Sequence, residues 1–588
     1  MKFSERQRIA ITLLVFAALF ITLAVSSYTR ESATWDEPQH LVTGYCALRY
    51  HDYRTDPEHP PFLRMWAALP LLAMDDVKFD LRQIDETDPV KWAGAGQFYF
   101  CHDMLYVAND ADHLLYAARF MIVLLGVLLG VLLFCWAREV FGFWPAALVL
   151  GLYTLEPNLL AHTRLVTTDF GLTCFMFGAM YFLWRSTRCL TVVNLCGLVG
   201  FFTLAQISKF SALLLGPVVL ALLVVRACQR SPWTIHLGRQ TTLPGRLGKL
   251  LVALAIVAVL AVASWLAIWA VYDFRYLPSA SPTWRYDFHK DPGMFQRAPT
   301  LTQTVAWADD HRLLPNAYTE GFLLGQVKAQ KRSGYLAGRY SVEGWWYFFP
   351  LAFVIKTPIA VILLLLTGLV FCAARWRRFL DYSVYALLPL TAFLAAAMLT
   401  KLNIGVRHIL PIQPFVLLLA GNTVKELITA QWKPFRVLLG SICLLAVIEF
   451  ALICPHYLAF FNLFAGGPAN GHEYLVDSNL DWGQDLKGLK QWMDRNAVGH
   501  INLSYFGTAD PAYYRIDCTL LPGGPFYDDP FVKNPQLPGL FAVSITNLRG
   551  VYLTEHFRSI YQPLLKAKPV AVIGYSIYIY RIEGVRSQ

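Results

Sequence analysis

Long apolar segments recur along the first 455 residues and are separated by short polar stretches. A helix needs about 20 predominantly apolar residues to cross the hydrocarbon layer of a bilayer. Segments of this kind predict about eleven spans, near residues 9–27, 115–136, 141–157, 165–184, 191–207, 210–227, 249–271, 347–372, 381–400, 408–424 and 435–455. We therefore predict a polytopic α-helical membrane domain at residues 1–455.

The distribution of lysine and arginine between the apolar segments predicts their orientation, because short basic loops stay in the cytoplasm. This rule favours a cytoplasmic N-terminus and a multi-pass protein of the cell (inner) membrane. The large segments that then lie outside are residues 28–114, 272–346 and 456–588. As an alternative, residues 1–27 could form a cleaved signal peptide, since a basic start precedes an apolar run.

Residues 456–588 have a different pattern. Alternating or short apolar stretches predict strands at 500–506, 541–546, 550–554 and 570–581. Asp481-Trp-Gly-Gln484 has the spacing of a helix cap and predicts a helix that begins at Asp481. We therefore predict an extracytoplasmic α/β domain at residues 456–588.

Composition agrees with a membrane protein, because 56% of the residues are hydrophobic and only 15% are charged. The net charge of +10 is spread over short loops rather than gathered in a basic run, so no nucleic-acid partner is expected. The cysteines lack metal-ligand spacing. A disulfide between Cys46 and Cys101, which both lie in the first outer segment, is left open.

Two acidic residues follow the first predicted span in the sequence Thr34-Trp-Asp36-Glu37-Pro38. A carboxylate at this position could act as a general base that takes a proton from a hydroxyl. The alternative is structural, since Asp and Glu before a proline suit the first turn of a helix.

Ionisable residues at the ends of apolar segments add a second candidate feature. They are Arg119, Asp169, Lys209, Lys356 and Arg407. A charge in a membrane span is costly and usually has a partner or a function. The set predicts either a pocket with excess positive charge for an anionic lipid headgroup, or mutual pairing such as Arg119 with Asp169.

Further motifs accompany these residues in order along the chain. They are Glu58-His59-Pro60-Pro61, Arg164-Leu-Val-Thr-Thr-Asp169, Ser208-Lys209, Glu343-Gly-Trp-Trp-Tyr-Phe-Phe-Pro350, Lys356-Thr-Pro358, Gly405-Val-Arg407-His408-Ile-Leu-Pro411 and Asp477-Ser-Asn-Leu-Asp481-Trp-Gly-Gln-Asp485. With Asp36-Glu37, the set resembles GT-C-fold glycosyltransferases of the protein O-mannosyltransferase and lipid A aminoarabinose transferase superfamily (glycosyltransferase family 39-like). The resemblance extends from the first span into the outer domain.

The resemblance implies an inverting transfer of a hexosyl or pentosyl group from a polyprenyl-phosphate-linked donor. The acceptor would be a hydroxyl of a protein, lipid or glycan at the outer face of the membrane. Asp36 would be the general base, with Glu37 beside it. Binding of the donor phosphate would fall to Lys209, Lys356, Arg407 and Arg119, and the substrate pocket to His59, Asp169, Arg164, His408, Trp345 and Trp346. No cofactor and no required metal are expected.

Two alternative interpretations stay open at this point. A transporter or flippase of a lipid-linked anion could use the same basic pocket, although we find neither a repeat nor charges clustered at mid-depth. Trp345 and Trp346 stand at the end of a predicted span, where an aromatic belt explains them without any contact to a sugar.

Overall fold

The structure is a computed structural model that describes residues 4–85, 92, 96–374, 382–430, 433–524 and 537–583. Each of the predicted apolar segments contains a helix. The bounds are Glu5–Tyr28, Ala111–Phe141, Phe143–Thr154, Thr168–Arg188, Val192–Gln206, Leu215–Cys228 after the 3-10 turn Phe210–Leu214, Arg246–Val271, Phe348–Lys356 with Ile359–Ala374, Val384–Leu399, Gln413–Thr429 and Lys433–Ile453.

Five of these helical segments are long and apolar enough to cross a membrane, and a sixth is a bent pair. The chain is a multi-pass membrane protein. Helices such as Phe143–Thr154, with 12 residues, rise only about 18 Å against a hydrocarbon core of about 30 Å. Length therefore accounts for fewer crossings than the sequence predicts, and the count of eleven stays a prediction.

The segment predicted as one span at 347–372 is in fact two helices bent by 113°. The first ends at Lys356, and Thr357 has extended backbone angles of φ −85° and ψ 135°. The cause is Pro358, whose ring disfavours the helical conformation for the residue before it. The bend turns Lys356 toward the 3-10 turns that follow the last membrane helix.

The two segments between spans that are predicted to lie outside, which we call the first and second outer segments, form short elements. The first, residues 28–114, contains the helices Glu37–Tyr50, Phe62–Ala68, Arg82–Asp85 and Gln97–His102, the 3-10 turn Leu69–Ala73 and the π turn Asp103–Val107. The second, residues 272–346, contains the 3-10 turn Phe288–Lys290, the helices Pro292–Arg297, Pro299–Asp310 and Asn316–Lys328, and the hairpin strands Gly334–Leu336 and Arg339–Ser341. A three-stranded sheet of Cys189–Thr191, Trp233–Leu237 and Arg239–Leu243 lies between later spans.

The C-terminal segment folds around a five-stranded mixed sheet. Its order is Cys518–Leu520, Ile501–Ser504, Gly539–Ser544, Ile577–Ile582 and Ala571–Ile573. The second strand is parallel to both neighbours, and the last two pairings are antiparallel. The helices that accompany the sheet are Leu486–Arg495, Ile545–Arg549 and Glu555–Tyr561.

Two predictions for this segment are wrong. Residues 550–554 form no strand, and the helix predicted from Asp481 begins at Leu486. The chain cannot be helical across Gly483, which has φ +90° and whose α-carbon lies against Gly507. The Asp481 carboxylate instead accepts a hydrogen bond at 2.9 Å from the backbone N–H of Thr546.

The first outer segment docks on this C-terminal segment. Backbone N–H groups of Ser32 and Trp35 donate to the carbonyls of Gln484 and Trp482 at 2.9 and 2.8 Å. One continuous apolar core joins the membrane helices to the sheet, from Phe20 to buried strand residues such as Ile579. This docking brings the residue after Trp35 to the boundary between the helices and the outer sheet.

Candidate functional site

Asp36 stands at the start of the helix Glu37–Tyr50. Although it occupies the capping position, its side chain makes no capping hydrogen bond. Its carboxylate accepts instead from Arg407 Nη1 at 2.8 Å. The Asp36 side chain therefore does not cap the helix, which was the alternative to a role as general base.

Arg407 joins two acidic residues. Its Nη1 lies 2.8 Å from Asp36 and 3.5 Å from Asp169, and its guanidinium stacks 4.2 Å from the ring centre of Trp482. Asp169 also pairs with Lys209. The two cations are thus balanced by two carboxylates, so this group of four does not have the excess positive charge that the sequence predicts.

Two cavities meet at Arg407. The first, which we call the Asp36 cavity, has a volume of about 280 Å³. Its lining residues are Trp35, Asp36, Arg332, Arg407, Asp477, Trp482, Phe506, Gly523, Gly524, Tyr552 and Leu553. It combines charged groups with aromatic side chains, a composition that suits a polar small molecule.

The second, the Lys209 cavity, has a volume of about 430 Å³. Its charged and titratable lining residues, which we call its polar end, are Glu58, His59, Asp169, Lys209, Arg407 and His408. Glu58 pairs with Lys328. Apolar lining residues from membrane helices and from the second outer segment include Leu172, Leu213, Leu214, Phe322, Phe393, Ala396, Ala397 and Pro411. One cavity therefore offers both charged groups and hydrocarbon contacts.

Two nitrogen atoms in this region lack a hydrogen-bond partner among the described residues, the Arg407 Nε donor and a ring nitrogen of His408. Arg407 Nε and His408 Nε2 are buried, and neither has a hydrogen-bond partner within the described part of the chain. Burial and the charges of Lys209 and Arg64 hold the pKa of His59 well below its ordinary value, so this ring is neutral near pH 7. Buried donors without acceptors are costly, and an anion would satisfy them.

Glu37 belongs to a different arrangement from Asp36. Its carboxylate is fully buried and accepts from Arg119 Nε and Nη2 at 2.9 and 2.6 Å. It also accepts from the backbone N–H of Thr34 and Val166 at 2.8 and 2.9 Å. Neither Glu37 nor Arg119 lines either cavity. Arg119 therefore pairs with Glu37 and not, as the alternative had it, with Asp169. The roles of Glu37 in catalysis and of Arg119 in phosphate binding stay predictions, with both side chains outside the two cavities.

Lys356 and Arg164 also lie away from both cavities. Lys356 Nζ donates to the carbonyls of Leu458 and Asn479 at 3.0 and 2.6 Å, and Arg164 pairs with Glu31. Both side chains are buried and fasten segments to each other. The structure thus leaves Lys209 and Arg407 as the predicted cations that reach the cavities.

The tryptophans predicted for the pocket do not line the cavities either. Trp346 is two-thirds exposed, at 67%. The Trp345 backbone N–H donates to Asn403 Oδ1 at 2.5 Å.

The two cysteines of the first outer segment, Cys46 and Cys101, are buried and form no disulfide with each other in the structure.

The first outer segment contains one Asp-x-Asp sequence, Asp110-Ala-Asp112, which serves the fold. Asp110 caps the helix Ala111–Phe141 by accepting from the N–H of His113 at 3.2 Å. Asp112 pairs with Lys487 at 2.7 Å.

Nine of the eleven lining residues of the Asp36 cavity were not predicted to belong to a site, and four of these nine contact one another or Arg407. They are Arg332, Asp477, Trp482 and Tyr552. The motif Asp477–Asp485 could have identified Asp477 and Trp482, although its pattern is also typical of a turn. Arg332 stands in a polar stretch without a motif and Tyr552 in a stretch predicted as a strand. Only the fold brings them to Asp477, which accepts a hydrogen bond from the Tyr552 hydroxyl.

Residues 104–269 match the sequence model of a family described as dolichyl-phosphate-mannose-protein mannosyltransferase. This match agrees with the predicted resemblance over that part of the chain. With the apolar helices described above, it supports a multi-pass membrane protein. No curated protein has a significant sequence match to the chain.

Solved structures of similar proteins include ArnT from Cupriavidus metallidurans bound to undecaprenyl phosphate. The TM-score is 0.44 at 14% identity, and the alignment covers 96% of this chain and 97% of that chain. Another is the Archaeoglobus fulgidus oligosaccharyltransferase tethered with an acceptor peptide, at TM-score 0.43 and 13% identity. That alignment covers 77% of this chain and 55% of the other.

Proposed function

We propose that this protein is an inverting glycosyltransferase that moves a sugar from a polyprenyl phosphate to an acceptor hydroxyl at the outer face of the cell membrane. The observation that carries the proposal is the position of Arg407. This side chain lines both cavities and contacts Asp36 in one and Asp169 in the other. The family match supports glycosyl transfer in general.

In this proposal the donor phosphate lies at the polar end of the Lys209 cavity, and its isoprenoid chain follows the apolar wall. Lys209, Arg407 Nε and His408 Nε2 supply hydrogen-bond donors to the phosphate. Cations and buried donors stabilise the negative charge that grows on a leaving phosphate. Asp169 fixes the two cations until the donor arrives.

The sugar and the acceptor occupy the Asp36 cavity. The acceptor oxygen attacks the anomeric carbon and forms the new glycosidic bond, while the bond from that carbon to the phosphate oxygen breaks. The acceptor proton passes to the Asp36 carboxylate, and the polyprenyl phosphate leaves as an anion. A positioned general base contributes typically about 10²–10⁴-fold to such a step.

The test uses purified protein in detergent with a labelled mannosyl-phosphoryl-polyprenol, the donor class that the family description names. We expect Asp36→Asn to lower release of the sugar or its transfer by about 10²–10⁴-fold, in protein that thermal unfolding shows to be folded, because Arg407 keeps its contacts to Asp169 and Trp482. Asp76→Asn is the matched control, because Asp76 is an exposed carboxylate of the same outer segment.

Turnover by Asp36→Asn at the wild-type rate would refute the assignment of the base. Binding of the donor by the wild-type protein without any cleavage in detergent, where no membrane barrier exists, would instead favour the transporter.

A further inference from the structure

Three metal-ligating side chains meet in the second outer segment, away from both cavities. They are His289 in the turn Phe288–Lys290, Asp309 in the last turn of the helix Pro299–Asp310, and Glu320 in the helix Asn316–Lys328. One ligand atom from each lies within 4.8 Å of the other two. The chain thus gathers one imidazole and two carboxylates from three separate elements.

The two carboxylate oxygens of Asp309 differ in their contacts. The residue is fully buried, and Oδ1 accepts from Asn316 Nδ2 at 3.0 Å and from Thr319 Oγ1 at 3.1 Å. Oδ2 is buried and has no hydrogen-bond partner within the described residues. Supporting donors on one oxygen and a bare second oxygen are the arrangement expected of a metal-ligating carboxylate.

Glu320 is equally buried, and it faces His289. Its Oε1 lies 2.5 Å from His289 Nδ1, and its Oε2 accepts from the His289 backbone N–H at 3.1 Å. Among the ion pairs of the described ranges, neither Asp309 nor Glu320 pairs with a lysine or an arginine. The nearby Arg285 is paired with Asp287 at 2.6 Å.

A cation would remove this imbalance, because buried carboxylates without a partner are strongly unfavourable. We propose that His289, Asp309 and Glu320 bind one divalent transition-metal ion of the zinc type. A nitrogen and two carboxylate oxygens suit zinc, whereas magnesium and calcium prefer sites built wholly from oxygen. Water would complete the coordination.

Binding requires a small adjustment. Ligand atoms around a tetrahedral zinc are about 3.3 Å apart when each bond is about 2.0–2.1 Å. The His289 and Glu320 atoms must therefore separate by somewhat less than 1 Å, and Asp309 must move closer. Rotation of the carboxylate groups about their terminal bonds supplies movements of this size.

A metal at this site would stabilise the second outer segment. Beside the site, a small apolar cluster separate from the main core has three buried residues, Val305, Leu323 and Val327, whereas Tyr286 and Tyr318 of the same segment join the main core. The helix that carries Glu320 also presents Phe322 and Gly325 to the Lys209 cavity. A metal at Glu320 would hold that wall of the cavity in place without touching the reacting groups.

The test measures metal directly and does not depend on turnover. Full-length protein without a polyhistidine tag is loaded with zinc, dialysed, and assayed by mass spectrometry for metal and by tryptophan fluorescence for thermal unfolding. We expect one zinc per chain and a higher unfolding temperature with zinc than after chelation.

Asp309→Asn and His289→Gln should each weaken zinc binding at least about tenfold. Asp310→Asn, an exposed neighbour in the same helix, should bind like wild type. The proposal is overturned if wild-type protein retains no zinc and gains no thermal stability from it. Equal zinc in wild type and in folded Asp309→Asn protein would also overturn it.

Discussion

The pair of Glu37 and Arg119 yields a prediction that separates fold from catalysis. Glu37→Gln keeps the shape of the side chain, but it removes the negative charge. It also replaces one of the two acceptor oxygens by an NH2 group, so Thr34 and Val166, which donate to different oxygens, cannot both keep their acceptor. Arg119 is fully buried and would then hold an uncompensated charge. Breaking a buried pair in this way costs about 3–5 kcal/mol.

The structure bounds this magnitude. Besides its two bonds to Glu37, Arg119 donates to the carbonyls of Tyr28, Glu31 and Ser32. These three acceptors persist in Glu37→Gln and solvate the cation in part, whereas the lost acceptor oxygen adds to the cost, so we expect a loss of about 3–5 kcal/mol. Because the pair joins the helix Glu37–Tyr50 to the helix Ala111–Phe141, the loss should appear as a lower unfolding temperature.

The assay is thermal unfolding of the full chain in detergent for Glu37→Gln, Arg119→Met and the double variant. Each single change should destabilise the protein, and the double variant should lose clearly less than the sum, since it leaves no unpaired charge. Additive losses would refute the coupling. If Glu37→Gln unfolds like wild type but does not turn over, Glu37 acts in catalysis, as the sequence predicts, and not mainly in the fold.

Two shorter predictions concern the cavities and the outer sheet. Lys209→Met should weaken binding of polyprenyl phosphate at least about tenfold, whereas Lys78→Met, an exposed lysine of the first outer segment, should not; equal affinities in a binding titration would contradict the placement of the phosphate. Burial raises the pKa of Asp481 to about 8, so the folded state keeps a proton that the unfolded state releases above about pH 4. Stability is therefore lost as pH rises from about 4 to about 8. Asp481→Asn should raise the unfolding temperature more at pH 8 than at pH 5, and an equal effect at both values would show that Asp481 is charged in the fold.

The membrane helices and the motif residues could be predicted because their signals are local. Apolar runs identify each helix irrespective of its neighbours, and Asp36, His59, Asp169, Lys209, Arg407 and His408 stand in ordered motifs. The bend after Lys356 also has a local cause in Pro358, but an apolar run continues on both sides and conceals it. Whether a helix of 12 residues crosses the bilayer depends on its neighbours, which the run does not reveal.

Partners of charged residues could not be predicted, because they depend on how distant segments pack. Arg119 pairs with Glu37 rather than with Asp169, although all three stand near span ends. Excess positive charge was expected for the same reason: the sequence shows the cations but not the carboxylates that the fold places beside them. Arg332 reaches the Asp36 cavity from a stretch with no motif at all.

The charge balance around Arg407 has a consequence for the order of events. In the ligand-free protein one oxygen of the Asp36 carboxylate accepts a hydrogen bond from Arg407 at 2.8 Å. An oxygen held in this way must exchange its partner before it can accept the proton of an acceptor hydroxyl. A donor phosphate in the Lys209 cavity would compete for Arg407 and draw the guanidinium toward itself. Asp36 would then be released as a base only when the donor is in place, so that one arginine would couple donor binding to activation of the acceptor.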